Sequence, residues 1–286
     1  MRYSSDSAMC GEDYLLTSEI AYRLLQSQSG ARLVISLDLN LSTVEVHVEP
    51  DGVRLPDSRV VGRDQLRAMA RRPKRVFALT DNGPQGVEIA RDHYYKLTPT
   101  AGAPTIEIDG VQMHRTKDID PFEDARQKVE GTVRRGDRVL DTCGGLGYTA
   151  IWAVRMGAER VVSVEVCEDV RTLRAKNPWS RDLHDARIEL VDGDVFAYVK
   201  NSNDASFDSI IHDPPRFSLA GELYGSEFYG HLFRVLSDGG RLFHYTGAPH
   251  SRSGRRDVPT EVQRRLETAG FHTRREPGKL GIAGWK

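Results

Sequence analysis

Cysteine is scarce in this 286-residue chain, which has only Cys10, Cys143 and Cys167. The three are scattered and odd in number, which excludes a disulfide framework and points to a reducing compartment. Neither a Cys-x-x-Cys pair nor a Cys/His cluster is present, so no metal site is expected. Long apolar runs are missing as well: none approaches the roughly 20 residues of a membrane span, and no charged-then-apolar leader opens the chain. The expectation is a soluble, cytoplasmic protein with no membrane partner. Net charge is nearly absent, at −1. That balance weighs against a large nucleic-acid footprint, although basic residues do cluster, at Arg71-Arg72-Pro73-Lys74-Arg75 and in nine Lys or Arg against four Asp or Glu from Arg252 to Lys286. Such runs read either as solvated faces or as surfaces that track phosphates. Internal repeats and low-complexity tracts are lacking too.

What is present is a normal apolar fraction of 39%, enough for one large domain or for a medium one with a smaller companion. The first third is strand-rich. Tyr14 to Leu25 has helical periodicity, Leu33–Leu39 and Thr43–Val48 read as strands, Gly62–Arg72 as a short helix, and Val76–Leu79 and Thr105–Met113 as further strands. Residues 1–118 are therefore expected to form a small α+β domain that recognises the substrate. At Asp120-Pro121-Phe122-Glu123 the pattern changes to a helix start, with Asp as cap, Pro at the first helical position and Glu in the first turn.

From there strands and helices alternate. Arg138-Val139-Leu140 leads into Asp141-Thr142-Cys143-Gly144-Gly145-Leu146-Gly147-Tyr148 and then the helical Thr149–Val154. A strand ending in a carboxylate and a glycine turn lets backbone approach a ligand closely, and the following helix offers free N–H groups and the positive end of its dipole. Alone, this pattern suits a dinucleotide, a phosphate or S-adenosylmethionine. The next strand, Val161–Val164, ends at Glu165, 24 residues after Asp141, where a carboxylate can accept both ribose hydroxyls of an adenosine. Ile188–Val191 ends in Asp192-Gly193-Asp194-Val195, Phe207–His212 in Asp213-Pro214-Pro215-Arg216, and Gly239–Tyr245 follows a Gly-Gly turn. A helix over Thr260–Ala269 and two strands around Pro277-Gly278 close the chain.

This ordered set of motifs resembles the class I S-adenosylmethionine-dependent methyltransferases, from about residue 119 to 286. The Gly-Leu-Gly-Tyr-Thr-Ala and His-Asp-Pro-Pro-Arg runs look most like a group of predicted methyltransferases described mainly from archaea. The resemblance implies an α/β fold: a Rossmann-like, doubly wound, seven-stranded sheet with an antiparallel C-terminal hairpin. It implies S-adenosyl-L-methionine as cofactor, held by Asp141, Cys143, Gly145, Gly147, Tyr148, Glu165, Val166, Asp194, Val195 and Asp213, with Asp194 on the adenine amino group. Cys143 stands where the family usually has glycine. A dehydrogenase is disfavoured, since its fourth strand does not end in Asp-Pro-Pro.

Asp-Pro-Pro is also the expected catalytic element. The Asp213 carboxylate and Pro214 carbonyl can accept two N–H hydrogens and aim a nitrogen lone pair, while Pro214 and Pro215 stiffen the turn. Arg216 stands where related amino-methyltransferases carry an aromatic residue, and Phe217 could take that role. With Arg216 and Phe217, the residues His212, His244, Tyr245 and His114 are expected to meet the substrate. Thiolate-based carbon methylation is rejected, because no cysteine follows Cys167. The expected activity is nitrogen methylation in RNA, tRNA foremost. The alternatives are a small amine or metabolite as acceptor, aminopropyl transfer as in polyamine synthases (whose Gly-Gly-Gly-Asp-Gly loop is lacking), and a non-catalytic cofactor-binding module.

Overall fold

The structure is a computed structural model that describes residues 14–217, 220–247 and 257–286. Cys10 and the beginning of the basic run at Arg252 lie outside the described residues. The chain divides into two compact units, residues 1–89 with 96–104, and residues 90–95 with 105–286. Residues 105–118, assigned by sequence to the first part, fall in the second unit.

The first unit contains β1 (Tyr14–Thr17), α1 (Ser18–Gln26), β2 (Arg32–Ile35), β3 (Val44–Val48), β4 (Gly52–Arg54), β5 (Val60–Gly62), α2 (Arg63–Ala70), β6 (Val76–Thr80) and β7 (Gly83–Gly86). The helix expected from Tyr14 starts only at Ser18. Tyr14 to Thr17 instead pair antiparallel with β6, Tyr14 opposite Leu79 and Thr17 opposite Val76. The Thr17 hydroxyl then caps α1 by accepting from the Ile20 amide. Strands β2 to β5 form an antiparallel sheet in sequence order. Leu16, Leu24, Val46, Val53, Leu66 and Phe77 share the core of this unit. Strands β8 (Glu88–Ala90) and β9 (Tyr94–Thr98) contribute residues to both units.

The second unit continues with β10 (Thr105–Ile108) and β11 (Val111–Gln112), a hairpin turned by Asp109 and Gly110, both at positive φ (47° and 81°). Then come α3 (Pro121–Val129), β12 (Arg138–Asp141), α4 (Tyr148–Arg155), β13 (Arg160–Glu165), α5 (Glu168–Ala175), β14 (Ile188–Asp192), α6 (Val195–Asn201), β15 (Phe207–His212), α7 (Ser226–Val235), β16 (Leu236–Tyr245), α8 (Val258–Thr268), β17 (His272–Glu276) and β18 (Gly281–Trp285). The seven-stranded sheet runs β14-β13-β12-β15-β16-β18-β17. Its first five strands are parallel, and β18 pairs antiparallel with both β16 and β17. This is the doubly wound sheet with a C-terminal hairpin that the motifs imply. Tyr224, Phe228, Tyr229 and Leu232 are buried against the sheet with Leu140, Ile210 and Leu242, each large apolar side chain contributing about 1.5–3 kcal/mol on burial. Strand order reverses between β12 and β15, so the crevice beyond their carboxyl ends is where such a sheet binds ligands.

Candidate active site

The glycine loop between β12 and α4 is shaped by close approach. Gly147 caps α4 in the left-handed region, φ 82°, and a Cβ there would stand 2.4 Å from Leu183. A Cβ on Gly144 would meet the Ser163 hydroxyl at 2.5 Å, and the Gly144 amide donates to the Val164 carbonyl at 2.8 Å. Those contacts seat the loop on β13, and Gly145 turns back at φ 50°. At the end of β13, Glu165 accepts from the Gly145 amide through Oε2 and from the Cys167 amide through Oε1, both at 2.9 Å. One carboxylate thus joins the two loops that wall the crevice and keeps acceptor capacity for hydroxyl groups.

Beside it lies a cavity of about 280 Å³, near the lower end of the roughly 300–1,000 Å³ usual for small-molecule sites. Cys143, Gly145, Tyr148, Glu165 and Val166 line one part of it, and Asp213, Pro214, Pro215 and His114 also face it. The sequence-predicted residues that converge on it therefore come from both the cofactor and the acceptor sets. Val166 is largely exposed at its edge. Burial, with the Glu165 charge nearby, pushes the Cys143 thiol well up, so it acts as a packed neutral group and not as a thiolate. The Tyr148 hydroxyl accepts from the Asn177 amide at 2.9 Å, and the ring packs edge-on against Phe122. Asp141 sits behind the loop, fully buried. Its Oδ2 accepts from the Ser163 hydroxyl at 2.8 Å, and the Thr149 side chain also hydrogen-bonds the carboxylate. Burial, with Asp213 and Glu165 nearby, pushes its carboxyl up to about 6.

These features fit an adenosine-bearing cofactor. They provide a backbone cradle that tolerates no extra side chain at Gly144 or Gly147 and a carboxylate at the second strand end that holds both loops.

Other expected residues lie elsewhere. Asp194 caps α6, accepting from the Phe196 and Ala197 amides at 2.9 and 3.3 Å, and it faces a separate cavity that also touches Arg138 and Tyr198. Val195 is buried in the core. His212 and His244 are sealed in the interior at 0% exposure. The Thr142 hydroxyl lies 2.7 Å from His212 Nδ1, and His212 Nε2 lies 3.1 Å from the Leu223 carbonyl. His244 Nε2 meets the Tyr229 hydroxyl at 2.8 Å. Burial lowers His212 to about 3 and His244 well below its ordinary value, so both are neutral. Strand-end position does point to the crevice, but the inward-facing side chain at a strand end goes to the core. Tyr245 packs over the Lys128 ammonium and does not line the cavity. Phe217 is exposed and meets Tyr224 edge-on, and the Arg216 carbonyl accepts from the Ala220 amide.

Sequence reading missed Lys128. This α3 residue is 1–2% exposed, with its ammonium 2.6 Å from Asp213 Oδ2 and 2.9 Å from Asp124 Oδ2. Burial alone would depress its pKa, but the two carboxylates outweigh that and raise it. Arg115 lies 3.0 Å from the other Asp124 oxygen. The available signal was Asp124 four residues before a lysine placed between Ala125 and Val129 on the apolar face. Cys167 on the cavity wall had no signal, because a loop position carries no periodicity.

Replacing Glu165 by Ala should weaken S-adenosylmethionine binding by about 1.5–3 kcal/mol, the range for hydrogen bonds to a charged group. Titration calorimetry giving equal affinities would remove Glu165 from the site.

Comparison with known proteins agrees with this geometry. A family profile described as "S-adenosyl-L-methionine-dependent methyltransferase" matches residues 169–281. An uncharacterized protein of Methanocaldococcus jannaschii is 41% identical over 277 residues, 95% of each chain. Polyamine aminopropyltransferase 2 of Streptomyces coelicolor is 31% identical over 156 residues, 47% of this chain and 28% of its own. Ribosomal RNA large subunit methyltransferase I of Photobacterium profundum is 30% identical over 149 residues, 49% of this chain and 37% of its own. Both of these relatives are thus matched over well under half of their length. Among solved structures, a spermidine synthase in complex with the transition-state analogue AdoDATO shares the fold, with a TM-score of 0.55 at 19% identity over 91% of this chain and 81% of that one.

Proposed function

From a chain that belongs to one family with the uncharacterized Methanocaldococcus jannaschii protein, and that is an S-adenosyl-L-methionine-dependent methyltransferase, we propose that the acceptor is a nitrogen atom in RNA, tRNA foremost. The observation that carries the proposal is that Asp213, Pro214 and Pro215 line the same cavity as Gly145 and Glu165. Bound there, the cofactor supplies an electrophilic methyl group on a sulfonium. The chain's own task is to present a nucleophile in line and to keep water out. Asp213 and the Pro214 carbonyl accept N–H hydrogens and offset positive charge as it builds on nitrogen. No general base is required for an uncharged, conjugated amino nitrogen, since the cation formed as the methyl group arrives is strongly acidic and gives its extra proton to solvent. His114, which burial and Lys128 lower to about 4, contributes a neutral wall.

RNA as the substrate class draws support from the ribosomal RNA methyltransferase among the relatives. We assign substrate recognition to the strand-rich N-terminal part, including Arg71, Arg72, Lys74 and Arg75. Arg72 and Arg75 both pair with Glu88, so that patch carries less charge than its sequence suggests. The second reading, a small amine or aminopropyl acceptor, is favoured by the polyamine aminopropyltransferase match. Nucleoside mass spectrometry of tRNA from cells with and without the gene separates the two. Loss of one methylated nucleoside supports the proposal. Unchanged nucleosides with an altered polyamine pool favour the second reading.

A further inference from the structure

We propose that Lys128 is a positioning and specificity-determining residue. It is a built-in counter-ion to Asp213 that turns the acceptor end of the cavity away from cationic amines and towards an uncharged nitrogen carried on a larger substrate. The inference rests on the reading that Asp213 faces the acceptor.

Three observations carry it. Lys128 is sealed from water, with its side chain 2% exposed, whereas Asp213 is 17% exposed and faces the cavity. The ammonium is enclosed by Asp213 Oδ2 at 2.6 Å, Asp124 Oδ2 at 2.9 Å and the Tyr245 ring at 4.3 Å. Arg115, 3.0 Å from Asp124 Oδ1, completes a row of alternating sign, Arg115–Asp124–Lys128–Asp213. Two cations face two anions, so the row is neutral. A site built to collect a polyamine would instead leave its carboxylates uncompensated, because a buried anion attracts a cationic ligand in proportion to its unpaired charge.

Here Lys128 already occupies one oxygen of Asp213, fixing the rotamer of the carboxylate. The remaining oxygen is a directional hydrogen-bond acceptor whose charge is offset within the row. That suits an N–H group without a charge of its own, and it removes the attraction that would draw in a di- or tricationic amine. The cation–π contact with Tyr245 holds the ammonium in place from the third side.

The test uses the full-length protein with S-adenosylhomocysteine present, titrated with putrescine and spermidine by calorimetry at low salt. The wild-type protein should bind both probes more weakly than millimolar. Lys128→Met, which keeps most of the stem volume but removes the charge, should bind putrescine about tenfold or more tighter, the scale for uncovering one charge a few ångström away. The gain should fall with added salt and vanish in Lys128→Met/Asp213→Asn, and Lys128→Arg should behave as wild type. Micromolar putrescine affinity in the wild type overturns the proposal, and so does a Lys128→Met protein with no gain or a gain that survives loss of the Asp213 charge. The wild-type arm decides alone should Lys128→Met fail to fold. None of these arms measures methyl transfer, so a wrong acceptor class, visible as unmethylated RNA, stays distinct from a wrong role for Lys128.

Discussion

Asp213→Ala should lower methyl-transfer turnover by roughly 10²–10³-fold, the scale for losing one preorganised transition-state contact, while cofactor affinity stays within a few-fold. Substrate N–H groups lose the carboxylate that aims them, and the Pro214 carbonyl cannot replace it alone. The ion pair adds a second consequence. Removing the carboxylate leaves the buried Lys128 with Asp124 as its remaining counter-charge, and breaking a buried pair costs about 3–5 kcal/mol. Asp213→Ala should therefore also melt earlier, and rates must be compared well below its transition. Asp213→Asn separates the two effects. Its amide oxygen still accepts one hydrogen bond, so turnover should fall less than in the Ala variant. Single-turnover rates with tRNA and labelled cofactor provide the check, and full activity in Asp213→Ala would place the acceptor chemistry elsewhere.

The second large effect is on stability against pH. His212 and His114 are held neutral in the folded chain, lowered to about 3 and about 4, mainly by burial. Their folded pKa values lie below the unfolded value of about 6.5, so the unfolded chain binds protons that the folded chain refuses. Stability is therefore lost as pH falls below 6.5, by about 2 kcal/mol for each of the two at pH 5. His244 shifts the same way. Asp141 opposes them. Its folded pKa, about 6, lies above the unfolded value, so protonating it returns about 1 kcal/mol in the same interval. The net expectation is a loss of roughly 3 kcal/mol between pH 7 and pH 5. Asp185, Asp208 and Glu261, held to about 2 by arginine partners, act below that window. Urea midpoints at the two pH values measure the loss. Equal midpoints would mean that these histidines charge within the fold.

The parallel sheet was legible because each strand ends in a residue with a steric or chemical job. Asp141 precedes glycines that cannot carry a Cβ, Glu165 closes the second strand, and Asp213 precedes two prolines. Periodicity could not find the end of β1, because Tyr14-Leu15-Leu16 is apolar at both helical and strand spacing. Only its pairing with Val76–Leu79, about sixty residues away, decides between them. The candidate site was half legible. Backbone-dictated positions converge on the cavity, while His212 and His244, chosen by position at strand ends, turn inward to the hydroxyls of Thr142 and Tyr229. Lys128 stayed hidden because its partner Asp213 lies 85 residues further on, and no local spacing reveals a long-range buried pair. The Asp194 carboxylate illustrates the converse: a strand-end acid can serve the next helix as its cap.

The identity of the methyl acceptor separates RNA modification from amine chemistry. Purified full-length protein should be incubated with S-adenosylmethionine carrying a deuterated methyl group, together with bulk tRNA, and the RNA digested to nucleosides for mass spectrometry. The predicted result is one nucleoside whose mass rises by a labelled methyl group on nitrogen, abolished by Asp213→Ala and weakened by Glu165→Ala at limiting cofactor. RNA left unlabelled by protein that binds the cofactor would contradict it.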